Sequence, residues 1–100
     1  MARNKRQIPL APPGEILNEE FLKPLGMTIN ALAIALRVPG NRIYAIIAGD
    51  RGITPDTALR LARYFGTSPE MWINLQAHYD LETVRDQIGA DIEREVQRRS

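Results

Sequence analysis

Residues 27–66 read MTINALAIALRVPGNRIYAIIAGDRGITPDTALRLARYFG, and their reading decides the fold. Thr28 has the chemistry of a helix N-cap, because its hydroxyl can accept a bond from an orphan backbone N–H of the first turn. Behind it, Leu32, Ala33 and Leu36 recur at helical spacing and predict a buried stripe. Arg37-Val38-Pro39-Gly40 then breaks the helix, since Pro39 has no N–H and its ring excludes the preceding residue from helical geometry. A second helix is expected from about Gly40 to Ala48, with Ile43, Ile46 and Ile47 facing inward. Asn41, Arg42, Tyr44, Ala45 and Ala48 remain on or near its outer face. Gly49 stands where a left-handed residue closes a helix. Thr54-Pro55-Asp56 supplies a cap, a proline at the first helical position and an acid at the positive end of the dipole. Ala58, Leu61, Ala62 and Phe65 follow at the helical period, and Gly66 ends the run.

The same signals extend outward in both directions. Pro13-Gly14-Glu15 opens a helix expected to run to about Lys23, where Pro24 and Gly26 stop it. Thr67-Ser68-Pro69-Glu70 repeats the start signal and leads to Trp72, Leu75 and Tyr79. Trp72 at that spacing reads as core or dimer seam rather than as a partner anchor. Asp80 is expected to cap a further helix, along which Leu81, Val84, Ile88, Ile92 and Val96 form a narrow apolar stripe. The fold class is therefore all-α, with five to six helices. The expected organisation is a basic arm over 1–12, a helical domain over 13–80 and a helical extension over 81–100.

Composition limits the chemistry. The chain has 100 residues, no cysteine and a single histidine, His78, so a thiolate zinc site and a histidine metal cluster are both excluded. No apolar run approaches the roughly 18 residues that a membrane span requires. No apolar segment follows Arg3, Lys5 and Arg6 in the manner of a signal peptide, so the expected location is the cytoplasm. Glu19 and Glu20 are adjacent on a helix and point apart, and nothing near His78 completes a catalytic set. No enzyme and no cofactor is expected. The formal net charge of +1 conceals a split: residues 1–63 carry nine Lys/Arg against five Asp/Glu, and residues 64–100 carry four against seven. A basic half suits a polyanion, and an acidic half suits solvent or a basic protein.

Two short helices joined by a tight connection can present the second to a DNA major groove, which is about as wide as one helix with its side chains. On that helix Asn41 can bond an adenine edge, Arg42 a guanine edge or a phosphate, and Tyr44 a thymine methyl or a phosphate. The arm at Arg3–Arg6 can follow a phosphate backbone or serve only to solubilise.

Residues 27–66 resemble the helix-turn-helix domain of the lambda-repressor-like (XRE-type) superfamily. The wider stretches PGEILNEEFLKPLGMT (13–28) and NRIYAIIAGDRGITPDTALRLARYFGTSPEMWINLQAHYDL (41–81) resemble more specifically the HigA-type, or VapI-like, antitoxins of bacterial toxin–antitoxin modules. The resemblance implies a lambda-repressor-like domain and a homodimer on a palindromic operator in its own promoter. It also implies a partner toxin, a small basic ribonuclease acting on mRNA at the ribosome. By position, it places Pro39, Gly40, Asn41, Arg42, Tyr44 and Ala45 at the groove and Thr28 and Arg51 on phosphates. The chain departs from the common pattern twice, with Ile29 where many such domains carry a phosphate-binding glutamine and Arg37 where many carry glycine. The residues alone also fit a phage-type repressor with no toxin partner, or a protein-binding module that has lost DNA binding. On the antitoxin reading, exposed members of the Leu81–Val96 stripe are the candidate apolar anchors for the toxin.

Overall fold

The computed structural model describes residues 10–99, so most of the basic arm expected over 1–12 lies outside the described residues. Five helical segments follow one another and no strand occurs among the described residues. The first, α1, spans 13–25: an α-helical start at Pro13–Leu17, a π-helical stretch at Asn18–Leu22 and a last turn at Lys23–Leu25. Then come α2 (Ile29–Leu36), α3 (Gly40–Ala48), α4 (Pro55–Phe65) and α5 (Pro69–Glu95).

The helix starts follow the sequence. The hydroxyls of Thr28 and Ser68 accept from the N–H groups of Ala31 and Met71 at 3.0 and 3.1 Å. Thr54 takes the same role toward Thr57 at 3.5 Å. Pro55 and Pro69 follow their caps, where the missing N–H costs nothing. Gly49 closes α3 at φ 84°, donating to Ile46 at 3.1 Å while Asp50 N–H reaches Ala45 at 2.9 Å.

Two boundaries differ from expectation. Pro24 does not end α1, which passes through it to Leu25. The π-helical stretch directly before it widens the turn, which leaves room for the pyrrolidine ring that a regular α-helix would bring against the preceding carbonyls. Asp80 caps no separate helix; α5 runs unbroken for 27 residues. Its carboxylate accepts from the side-chain amide of Gln76 at 2.9 Å, one turn earlier, and no glycine or proline interrupts the backbone there.

The core is assembled from all five helices: Leu17 and Leu22, Leu32 and Leu36, Ile43 and Ile46, Ala58 and Leu61, and Trp72 are all buried, with Ile53 of the α3–α4 loop beside them. Trp72 is core rather than seam. Its indole N–H donates to Thr67 Oγ1 at 2.8 Å, and its ring lies 5.0 Å from that of Phe21, which in turn lies 4.8 Å from Phe65. The helices α1 and α3 cross at Gly14. A Cβ built there would stand 1.8 Å from the carbonyl oxygen of Ile46 and 3.0 Å from Ile47 Cα. Only a residue without a side chain permits this crossing, which gives the PGE opening its physical meaning.

Beyond the core, α5 continues with no other described helix packed along it. The molecule measures 51 × 29 × 22 Å, and its long dimension reflects this helix, about 40 Å long at 1.5 Å per residue.

The clash at Gly14 is with backbone, which cannot rotate away. Gly14→Ala is therefore expected to lose about 1–3 kcal/mol or more of stability, the usual cost of overpacking a tight contact. Urea denaturation measures it, and an unchanged midpoint would show that the two helices can part without cost.

Candidate nucleic-acid interface

The geometry of the interface begins in the turn between α2 and α3. Arg37 closes α2 at φ 61°, the one non-glycine residue with positive φ among those described. Its N–H reaches Ile34 at 3.1 Å and that of Val38 reaches Ala33 at 3.0 Å, so the last carbonyls of α2 are satisfied. A side chain in this conformation costs on the order of 1–2 kcal/mol. The left-handed geometry expected where the common pattern has glycine is thus present. Pro39 then adopts an extended conformation (φ −61°, ψ 144°) and delivers the chain into α3.

This turn brings the starts of α2 and α3 together. Thr28, Ile29, Asn30, Gly40, Asn41 and Tyr44 line one open cavity of about 550 Å³. Four of the residues expected to meet DNA, Thr28, Gly40, Asn41 and Tyr44, are therefore gathered on one face. Tyr44 is 65% exposed there, too open to be a packing residue. The positive ends of two helix dipoles converge on the same face, an arrangement that favours an anion. Pro39 is exposed beside it and Ala45 is half-buried. Ile29 and Asn30 belong to this face but were not among the expected contacts; their signal was position, directly behind the Thr28 cap.

Arg42 does not join the cavity. Its guanidinium donates from Nη1 to Asp56 Oδ1 at 2.8 Å, and its side chain is only 23% exposed. Arg60 Nε donates to the same oxygen at 2.8 Å, and Arg60 Nη1 donates to the Leu36 carbonyl at 2.9 Å. One carboxylate and two guanidiniums thus tie the start of α4 to α3 and to the end of α2. The hydrogen bonds from Arg60, and then from Arg42, hold the Asp56 carboxyl below the ordinary aspartate value. The sequence suggested Arg42 as a base or phosphate ligand because it sits on the right helix. It could not show that Asp56, fourteen positions on, competes for it.

Arg51 is separate again. It is exposed on the loop after α3, beside a groove of about 160 Å³ that also includes Gly49, Asp50, Gly52 and Gln76. Gln76 fixes this loop: its Oε1 accepts from the N–H of Ile53 at 2.8 Å, while its amide nitrogen bonds Asp80. The loop therefore moves with α5, and Arg51 is carried on a fixed mount.

Comparison with known proteins agrees with this arrangement. Residues 19–72 match the helix-turn-helix family HTH_3. Virulence-associated protein I of Dichelobacter nodosus is 54% identical over a segment covering 78% of this chain and 72% of that protein. The structure of an addiction module antidote protein of the HigA family from Coxiella burnetii is 48% identical and superposes with a TM-score of 0.87, covering 92% of this chain and all of that one. The antitoxin HigA of Pseudomonas aeruginosa, solved with the higBA promoter, is 43% identical with a TM-score of 0.86, covering 89% of this chain and 97% of that one.

The Asp56 pairing generates a prediction. Because its folded value is lowered, the pairing is intact above the ordinary aspartate value of about 3.9 and is lost as pH falls through the lowered one. At neutral pH, Asp56→Asn and Arg42→Ala should each lower the melting temperature, and the double variant should lose less than their sum. Arg42→Ala should also leave the salt dependence of DNA binding unchanged, where loss of a phosphate ligand would reduce the slope by about one. Strict additivity with a reduced slope would instead make Arg42 a free phosphate ligand.

Proposed function

The chain belongs to the HTH_3 helix-turn-helix family and, within it, to the HigA-type antitoxins, and from that premise we propose that it is a cytoplasmic, non-catalytic antitoxin that binds a palindromic operator in its own promoter and neutralises a partner ribonuclease. One observation carries the DNA half of this reading: the starts of α2 and α3 converge on a single open face where Thr28, Asn41 and Tyr44 stand together. On this reading α3 lies in the major groove, Gly40, Asn41, Tyr44 and Ala45 meet base edges, and Thr28, Pro39 and Arg51 adjoin the backbone. A domain over 13–80 carries this face and the rest of α5 extends from it. No helix among the described residues is long and apolar enough to cross a membrane.

The protein-binding half rests on α5. Leu81, Val84, Ile88 and Ile92 are 44–56% exposed along one side of the helix, uncovered by the other described residues. Exposed apolar rows of this kind mark association surfaces. The pattern suits a second copy lying antiparallel across a two-fold axis at Ile88. Val84 then faces the partner's Ile92. The same axis agrees with DNA geometry. From Ile88 to Gln76, which holds the loop after α3, is twelve residues, or about 18 Å at 1.5 Å per residue, so two copies would set these loops about 36 Å apart. One turn of duplex between half-sites is about 34–36 Å. Acidic Glu93 and Glu95, farther along the exposed helix, are placed to meet a basic toxin.

Ile88→Glu tests the assembly without touching the core. Sedimentation should report a monomer, and operator affinity should fall roughly a hundredfold or more, as bivalent binding is lost. Footprinting of the unaltered chain should show an inverted repeat with centres one turn apart. A variant that stays dimeric would place the seam elsewhere, and an unaltered chain that protects a single site would remove the two-fold reading.

A further inference from the structure

The cavity between the starts of α2 and α3 is unusual for a surface that meets a polyanion. Ile29 and the exposed Tyr44 line it with hydrocarbon and ring, Thr28 lines it at the start of α2, Gly40 contributes only backbone, and Asn30 and Asn41 supply its amides. Among the described residues, no Lys or Arg lines it. A phosphate seated there would meet only the partial positive charge of the two helix starts and no ionic partner, whereas the largely apolar lining fits a carbon substituent. In the major groove, the one carbon substituent that a base pair projects is the C5-methyl of thymine.

We propose that this cavity receives a thymine methyl of the operator, and that Ile29 and Tyr44 are specificity-determining residues. The inference rests on the reading of α3 as the recognition helix and assigns that reading a base. Asn41, in the same lining, has the amide geometry that pairs with N6 and N7 of adenine. Together they select an A·T step: the amide reads the purine, and the apolar slot requires the methyl. Gly40 keeps the slot open. A Cβ at this position would meet nothing closer than Asn30 Oδ1 at 3.6 Å, an ordinary contact, so alanine is accommodated by the fold while its methyl enters the slot.

Replacing thymine by deoxyuridine removes the methyl and nothing else, which makes it the direct probe. The DNA is the duplex selected from random sequence by the full chain, with each thymine replaced in turn by deoxyuridine in both half-sites. One position per half-site should lose about threefold to fivefold in affinity for each site substituted, the contribution of one buried methyl group. The other thymines should be indifferent. Ile29→Ala and Gly40→Ala should each bind thymine and deoxyuridine duplexes alike, and thermal melting should show Gly40→Ala at least as stable as the unaltered chain. Specific binding with no sensitive thymine, or a sensitivity that survives in both variants, would overturn the slot and leave the operator reading standing. Failure to select any sequence would overturn both.

Discussion

Gly14 lies directly against the carbonyl of Ile46, and the placing of α3 depends on that contact. The last turn of a short helix is ordinarily its loosest part, because its carbonyls have no partner within the helix. Here that turn is roofed by the backbone of α1, floored by Ile43 and Ile46 in the core, and closed by Gly49. The other end of α3 is set by the left-handed turn at Arg37, with Asp56 holding Arg42 from the side. A helix of nine residues is only marginally stable by itself. Its orientation comes from these three supports, and they leave its outer face free of structural duty.

The same economy explains why Tyr44 and Asn41 are exposed while Arg42 is not. Asp56 serves twice, as the acid at the positive end of α4 and as the acceptor for two guanidiniums from different helices. Exposed ion pairs contribute little individually to stability. Their role here is directional: they turn a long cationic side chain away from the groove face and leave compact groups there. Gln76 does comparable work on the other side, fixing the loop that carries Arg51 to α5. The loop after α3 is thereby hydrogen-bonded to the long helix, which links the two parts of the molecule.

Much of this was legible in residue order. Caps at Thr28, Thr54 and Ser68, prolines behind two of them and glycines at 49 and 66 mark the helix ends by local chemistry alone, because capping involves neighbours three or four positions apart. What the sequence did not yield depended on distant partners. Asp80 looks like a cap until Gln76 is seen to claim its carboxylate. Pro24 looks like a stop until the π-helical turn before it makes room. Arg42 looks unengaged on its helix until Asp56 is found beside it, and Ile29 and Tyr44, distant in sequence, are found lining one cavity. In each case a pattern over a few residues gave the element, and a contact across the fold decided what the side chain does.

At the centre stand two separate faces, the open one where α2 and α3 start, proposed for the operator, and the apolar one on the far part of α5, proposed for a protein. Co-expression with the product of the neighbouring gene, tested as the toxin, probes this most directly, using the unaltered protein and Tyr44→Ala, whose exposed ring can be removed without disturbing the core. Both proteins should relieve the toxin's growth arrest, while repression of a reporter fused to the chain's own promoter should survive only with the unaltered one. Arrest that persists with Tyr44→Ala at equal protein level would mean that toxin and operator share a face, and arrest that persists with the unaltered chain would contradict the antitoxin reading itself.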